Sequence, residues 1–514
     1  MADTGTSMES SVETRSPMIH HQDEPGGDPL NRPRTESAEL QRPDARPLSF
    51  TADPSNPTLS GVLHYPPSAT TSQPEPALKP AHSPMQATKS IILSSWLNVL
   101  LVCIPVSWAL HFAKQDDTIV FVFSFLAILP LAKLLAFATE ELSKMVGQTL
   151  AGLLNATAGN AVELIVSIIA LTQGQLHTVQ SSLVGSILNN LLLVLGSCFF
   201  AGGMRFSEQG LGQSSSQLNA SLLTLCVFAV VLPGAYHRAM ADILNTQNLD
   251  ASLSSSDPKE GTQILQISHP IAIILFLVYG YYVSFLFLHK DMYDREATLA
   301  VRIKKAQKED LSHVPELAPT LVDDVENDAA SPAKPNQPKE RKMGLYMSIG
   351  LLVFITPLVA VTAKFLVESI DGLTASGAIS KEFVHVILLP ILGNAAELIM
   401  TVIVSAKDDL ILALNAAVGS SIQTALFVIP SLVTLAWIIG KPLTLLFDPL
   451  ESGVLIIAVL TVNYTLQDGK SNSLEGIILI CLYLIIAVVF WFYPGSDPSV
   501  ALEVGVACYG RSAA

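Results

Sequence analysis

Two acidic residues stand where acids are costly. Glu163 lies in GNAVELIVSI (159–168) and Glu397 in GNAAELIMTV (393–402), each inside a long apolar run. A carboxylate at the centre of a membrane span costs at least about 2.5 kcal/mol to insert. Its neighbours show what could compensate. Asn160, Glu163 and Ser167 are spaced three and four apart and share one helix face, as do Asn394, Glu397 and Thr401. Further on, Ser186 pairs with Asn189, and Ser420 with Gln423. Gly159 and Gly393 sit just before the Asn residues, and Pro390 precedes the second motif. A helix weakened there would turn backbone carbonyls toward a cavity. Carboxylates, amide oxygens, hydroxyls and carbonyls form an all-oxygen ligand set. That set suits a hard divalent cation, Ca²⁺ first and Mn²⁺ second. The sequence shows no Cys/His cluster for softer metals.

The elements that must hold these residues follow from composition. Half of the 514 residues are hydrophobic, 14% are charged, and the net charge is −15; the mean hydropathy is +0.46. Soluble domains carry roughly 25% charged residues, so an all-α polytopic membrane protein is expected, embedded in a lipid bilayer. The negative charge argues against nucleic acid. Nothing points to an enzyme or a bound cofactor. Five cysteines make no disulfide framework; Cys103, Cys198, Cys226 and Cys481 fall in apolar runs and read as small core residues.

A bilayer takes about 20 apolar residues to span. That ruler predicts eleven spans, near 90–113, 118–137, 150–172, 178–203, 217–235, 268–289, 344–367, 383–404, 410–437, 450–466 and 474–492. Residues 1–89 hold 14 of the 31 prolines and no apolar run, which predicts a disordered tail without a secretory signal peptide. Residues 290–343 form a charged linker with an acidic cluster, Asp323, Asp324, Glu326 and Asp328; residues 493–514 form a C-terminal tail. With the N-terminus in the cytosol, 21 Lys/Arg fall on the cytosolic side and six on the other, as the positive-inside rule requires. The tail 1–89 and the linker are then cytosolic. His177, His269, His289 and His385 lie near span ends and read as interfacial.

The two decapeptides are offset by 234 residues, and the same offset carries GSILNN (185–190) onto GSSIQT (419–424). Two matches at one offset predict homologous halves of five spans, 114–289 and 344–492, after an extra N-terminal span at 90–113. Five is odd, so the halves are expected to be inverted, as in secondary transporters with ion sites at the repeat interface.

These motifs carry a resemblance. GNAVELIVSIIAL (159–171), GNAAELIMTVIVSAKDD (393–409), ATEELS (138–143), VQSSLVGSILNNLLLVLG (179–196) and VGSSIQTALFVIP (418–430) resemble the calcium/proton exchanger (CAX) family, and the pattern is similar to fungal vacuolar members. The resemblance covers about 90–492. It implies an eleven-span fold and antiport of cytosolic Ca²⁺ against protons from an acidic organelle, at the vacuolar membrane. It implies Glu163 and Glu397 as the ion carboxylates, with Asn160, Asn394, Ser186, Ser420 and Gln423 around them. Many members carry His after the second motif's Glu, where this chain has Leu398, so no proton role transfers to that position. Two rivals stay open: a Na⁺-coupled cation/Ca²⁺ exchanger of the same architecture, and a cation channel. Stoichiometry and oligomeric state are not legible.

Overall fold

The computed structural model describes residues 96–146, 159–211, 213–246, 258–288, 344–375 and 377–495. The tail 1–89, the linker 290–343 with its acidic cluster, His289 and Cys508 lie outside the described residues. Among those described, nine helices are long and apolar enough to cross a membrane, and two shorter apolar helices accompany them. In chain order they are α1 (Leu97–Phe112), α2 (Asp117–Ser143), α3 (Ala161–Thr172), α4 (Leu176–Gly203), α5 (Ser216–Met240) and α6 (Gln263–Leu286). They continue with α7 (Leu345–Thr374), α8 (Lys381–Ser405), α9 (Leu410–Ile438), α10 (Pro449–Leu466) and α11 (Ser473–Phe492). The nine long helices each overlap one expected span. The shorter two, α1 and α3, both adjoin undescribed residues.

The helix starts are written in the sequence. Asp116 caps α2 by accepting the Thr118 N–H at 2.8 Å, and hydrogen bonding from the Thr118 side chain and backbone holds its carboxyl below the usual range. Asp448 precedes Pro449 and accepts the N–H of Leu450 at 2.7 Å. Asn472 and Glu475 close a capping box on α11. A short antiparallel pair, Gln209–Gly210 with Lys470–Ser471, ties the α4–α5 loop to the α10–α11 loop, and Lys470 Nζ reaches Glu208 at 2.9 Å.

Apolar side chains cover the outside of the protein as well as filling its core. Phe228, Leu277, Phe354, Leu460 and Leu484 all stand exposed, an apolar exterior that only lipid satisfies. The core runs through α4 and α9, with 83% and 61% of their apolar windows buried. α2 packs along α7, and α4 along α11. The second crossing is glycine on glycine: a Cβ on Gly196 would meet the Gly476 carbonyl at 3.0 Å, so the backbones approach as closely as small residues allow. α1 docks on α2 and α7 through Ser107–Ser124 at 2.6 Å and Trp108 Nε1 donating to Thr362 at 3.1 Å. Of the cysteines expected in the core, Cys198 and Cys226 are buried, Cys103 is half-buried, and Cys481 is exposed. Cys481 lies on α11, whose apolar surface faces outward, so hydrophobicity alone did not place it inside.

Among the described residues, three helices contain a π-helical stretch: Val384–Leu388 in α8, Asn189–Val194 in α4 and Thr424–Val428 in α9. In α8 and α9 a proline follows two residues later, Pro390 and Pro430. Proline has no N–H for the carbonyl four residues back, and the wider π turn accommodates that gap within the helix.

Candidate functional site

The site assembles where α3, α4, α8 and α9 meet. Asn160 interrupts the helix, with φ −99° and ψ 18°, and α3 starts one residue later. That places Glu163 in the first turn of α3, where the helix dipole favours a negative charge. The second motif behaves differently: α8 passes through Gly393 and Asn394 without a break. The expected weakening therefore occurs only in the first motif. In the second, the π turn upstream absorbs Pro390, and the helix is regular again at the glycine.

Gly393 has another use. A Cβ there would meet Glu163 Cγ at 3.0 Å and Oε1 at 3.2 Å, whereas one on Gly159 would meet nothing within 4 Å among the described residues. Gly393 is the floor on which the Glu163 side chain rests. Gly393→Ala is accordingly expected to displace Glu163, at a cost of about 1–3 kcal/mol, roughly tenfold or more in apparent Ca²⁺ affinity. Gly159→Ala should leave that affinity nearly unchanged. Apparent KM values from Ca²⁺ uptake by the two variants test the contrast.

The polar residues form a continuous network. Ser186 Oγ donates a short hydrogen bond to Glu163 Oε1. Asn394 Nδ2 donates to Ser186 Oγ at 2.9 Å and to the Pro390 carbonyl at 3.1 Å. Asn190 Nδ2 donates to Asn394 Oδ1 at 3.5 Å and to Ser420 Oγ at 3.1 Å. Ser420 Oγ donates to Asn160 Oδ1 at 3.2 Å, and Asn160 Nδ2 to Gln423 Oε1 at 3.3 Å. Most of these bonds join residues more than 200 positions apart. Glu397 lies within electrostatic reach of Ser420 and of the Glu163 carboxylate. Glu163 Oε2 is buried and accepts no hydrogen bond. An unpaired carboxylate oxygen beside a second carboxylate requires a counter-charge, a proton or a cation.

Of the residues expected at the site, Glu163, Asn160, Asn394, Ser186, Ser420 and Gln423 are joined by hydrogen bonds, with Gly393 beneath Glu163. Asn189 is buried, but its Oδ1 has no partner; its neighbour Asn190 makes the connections instead. The Thr401 hydroxyl is spent on its own helix, donating to the Glu397 carbonyl at 2.8 Å. Leu398, where the resembled family often has His, packs against the hydrophobic core. A narrow crevice of about 20 Å³ reaches Glu163, lined by Ser167, Ser182, Leu183, Leu389 and Pro390 among others.

Most of the chain is similar to known proteins. The family model described as sodium/calcium exchanger protein matches residues 116–288 and 347–492, which takes in every helix but α1. The chain belongs to the sodium/calcium exchanger protein family. Within this exchanger family, the chain is 44% identical over 92% of its length to a vacuolar calcium ion transporter of Cryptococcus neoformans, of which it covers 85%. It is 38% identical over 77% of its length to a Ca²⁺/H⁺ antiporter of Synechocystis, covering 97% of that protein. Among solved structures, that of native YfkE matches with a TM-score of 0.57 and 28% identity, over 77% of this chain and 100% of the other.

Proposed function

We propose that this exchanger moves Ca²⁺ out of the cytosol in exchange for protons, across the membrane of an acidic organelle such as the vacuole. The observation that carries the proposal is the network itself. Two carboxylates from repeat-equivalent motifs sit in a network of amides and hydroxyls that bond from one half to the other, and one carboxylate oxygen is left without a partner. Such a ligand set is hard and all-oxygen, as Ca²⁺ prefers, with Mn²⁺ as a second cargo. Two acids sharing one site cannot both stay charged alone; either protons or a divalent cation compensates them. Near neutral pH Ca²⁺ wins the competition, and at an acidic face protons win. If the site opens to one face at a time, that competition is the exchange, and no catalytic group is needed.

The family is broad enough to hold the Na⁺-coupled rival. The names of the two relatives, vacuolar calcium ion transporter and Ca²⁺/H⁺ antiporter, favour protons as the counter-ion. Purified protein in liposomes with an acidic lumen should accumulate Ca²⁺ and alkalinise the lumen. Uptake driven by a Na⁺ gradient but not by a pH gradient would overturn the proposal in favour of that rival. Ca²⁺ flux without a coupled ion would favour a channel.

The topology belongs to the same proposal: eleven crossings, with two inverted five-helix repeats after α1. The offset of 234 supports it, since it carries the start of α4 at Leu176 onto the start of α9 at Leu410 and the π stretch of α4 onto that of α9. With the N-terminus cytosolic, the α3–α4 turn is lumenal, and the crevice leads from Glu163 toward that face. In sealed, right-side-out organelles an impermeant thiol reagent should then label a single cysteine at Ser331→Cys. It should not reach Cys508, in a variant holding that cysteine alone, until detergent is added. Labelling of Cys508 from the cytosol would remove the inverted repeat.

A further inference from the structure

A second polar cluster lies apart from the network, at the ends of α4, α8 and α10 that share one face of the protein. Nothing in the local sequence hints at it: His177 and His385 are 208 residues apart and read as interfacial. In the fold His385 is buried, at 4% exposure. One ligand atom each from His177, Glu382 and His385 lie within 4.8 Å of one another. His177 Nδ1 is 3.5 Å from Glu382 Oε1. Ser181 Oγ donates to Glu382 Oε2 at 3.4 Å and lies 3.2 Å from His177 Nδ1. The Thr178 hydroxyl is 3.2 Å from His385 Nε2, which leaves His385 Nδ1 buried with no partner.

Glu451 is the independent observation. It is 0% exposed, and neither of its carboxylate oxygens has a hydrogen-bond partner. The charged groups that act on it are Glu382 and Asp448, both acidic. Asp448 is committed to the α10 cap and to the Tyr493 hydroxyl at 3.0 Å. Lys381, next to Glu382 in sequence, points its ammonium at Asp371, 2.6 Å away. An acid buried among acids needs a proton or a cation, and the acid that acts on it most, Glu382, is the one grouped with His177 and His385.

We propose that His177, Glu382, His385 and Glu451 form a divalent transition-metal site, distinct from the transport site and suited to Zn²⁺. Two nitrogens and two carboxylates are a donor set for a borderline ion such as Zn²⁺, whereas Ca²⁺ takes oxygen alone. Ligands on a tetrahedral Zn²⁺ lie about 3.3 Å apart, given bonds of about 2.0–2.1 Å, so small side-chain rotations close the cluster. His177, with 13% of its side chain exposed, is the point of entry. A bound ion would tie α4 to α8 and α10 and so hold together helices that alternating access must separate. Zn²⁺ is then an inhibitor of exchange, a consequence that rests on the exchanger proposal, whereas the binding does not.

The test is binding of Zn²⁺ to the purified full chain in detergent, stripped with chelator, reloaded with Zn²⁺ and desalted. About one equivalent should remain on the wild-type protein and on Glu163→Gln, and excess Ca²⁺ should not displace it. His177→Ala and His385→Ala should each retain essentially none, while eluting as folded protein. Co²⁺ in place of Zn²⁺ should give a visible absorption band that both variants lose. If His385→Ala does not fold, His177→Ala decides, because that residue is partly exposed. Absence of Zn²⁺ from the wild type, its retention by His177→Ala, or its loss from Glu163→Gln would each overturn the site.

Discussion

Glu163→Gln and Glu397→Gln are each expected to abolish pH-driven Ca²⁺ uptake in proteoliposomes while leaving the protein inserted and folded. Glutamine preserves the shape and one oxygen but removes a charge. A dication that loses one of two buried counter-charges is left uncompensated, which costs about 3–5 kcal/mol. That is roughly a hundredfold or more in affinity, and no proton can then be exchanged at that position. For Glu163, the Ser186 hydroxyl would still find an oxygen to donate to, so the network survives and the fold is not at issue. Near-normal uptake by either variant would sink the site assignment.

The second large effect concerns Gly185 and its repeat counterpart Gly419. A Cβ on Gly185 would collide with the Val386 carbonyl and the Pro390 ring. That carbonyl is the one Pro390 cannot serve, four residues on, so it is backbone held in place by a helix and cannot yield. Gly185→Ala should therefore push α4 away from α8 and destabilise the protein by about 3 kcal/mol, with loss of uptake. At Gly419 a Cβ meets nothing within 4 Å among the described residues. Gly419→Ala should be neutral, or stabilising by about 0.5–1 kcal/mol through helix propensity. Thermal unfolding in detergent, monitored by size-exclusion chromatography, compares the two. Equal sensitivity would mean that the α4–α8 contact is not as close as described.

Much of this was readable from the chain. Acids inside apolar runs announce themselves, because hydrophobic patterning makes every exception visible. The 234-residue offset pointed to both motifs at once. What could not be read was any feature set by local helix geometry. Counting in threes from Ser186 selects Asn189, but a π stretch begins there, and Asn190 becomes the residue that links Asn394 to Ser420. Gly393 looked like a weak point in a helix and proved to be room for Glu163 instead. His177 and His385 looked unrelated because nothing in their local sequence records that α4 and α8 lie side by side. Leu398 shows the opposite case, a departure from the family's pattern that the sequence reported correctly.

The glycine crossing of α4 and α11 sets the order in which the protein can be made. α4 emerges from the ribosome early, with Gly196 shaped for a backbone that does not yet exist. Its other close partners, α8 beside Gly185 and the carbonyls of Thr444 and Leu446 that Gln180 bonds at 2.8 and 3.0 Å, are also still to be translated. The first half therefore inserts with its most buried helix unclad. Its core closes only when α11, the last described helix, enters the membrane. Truncations short of Gly476 should leave that helix open to quality-control proteases, however complete the first five spans appear.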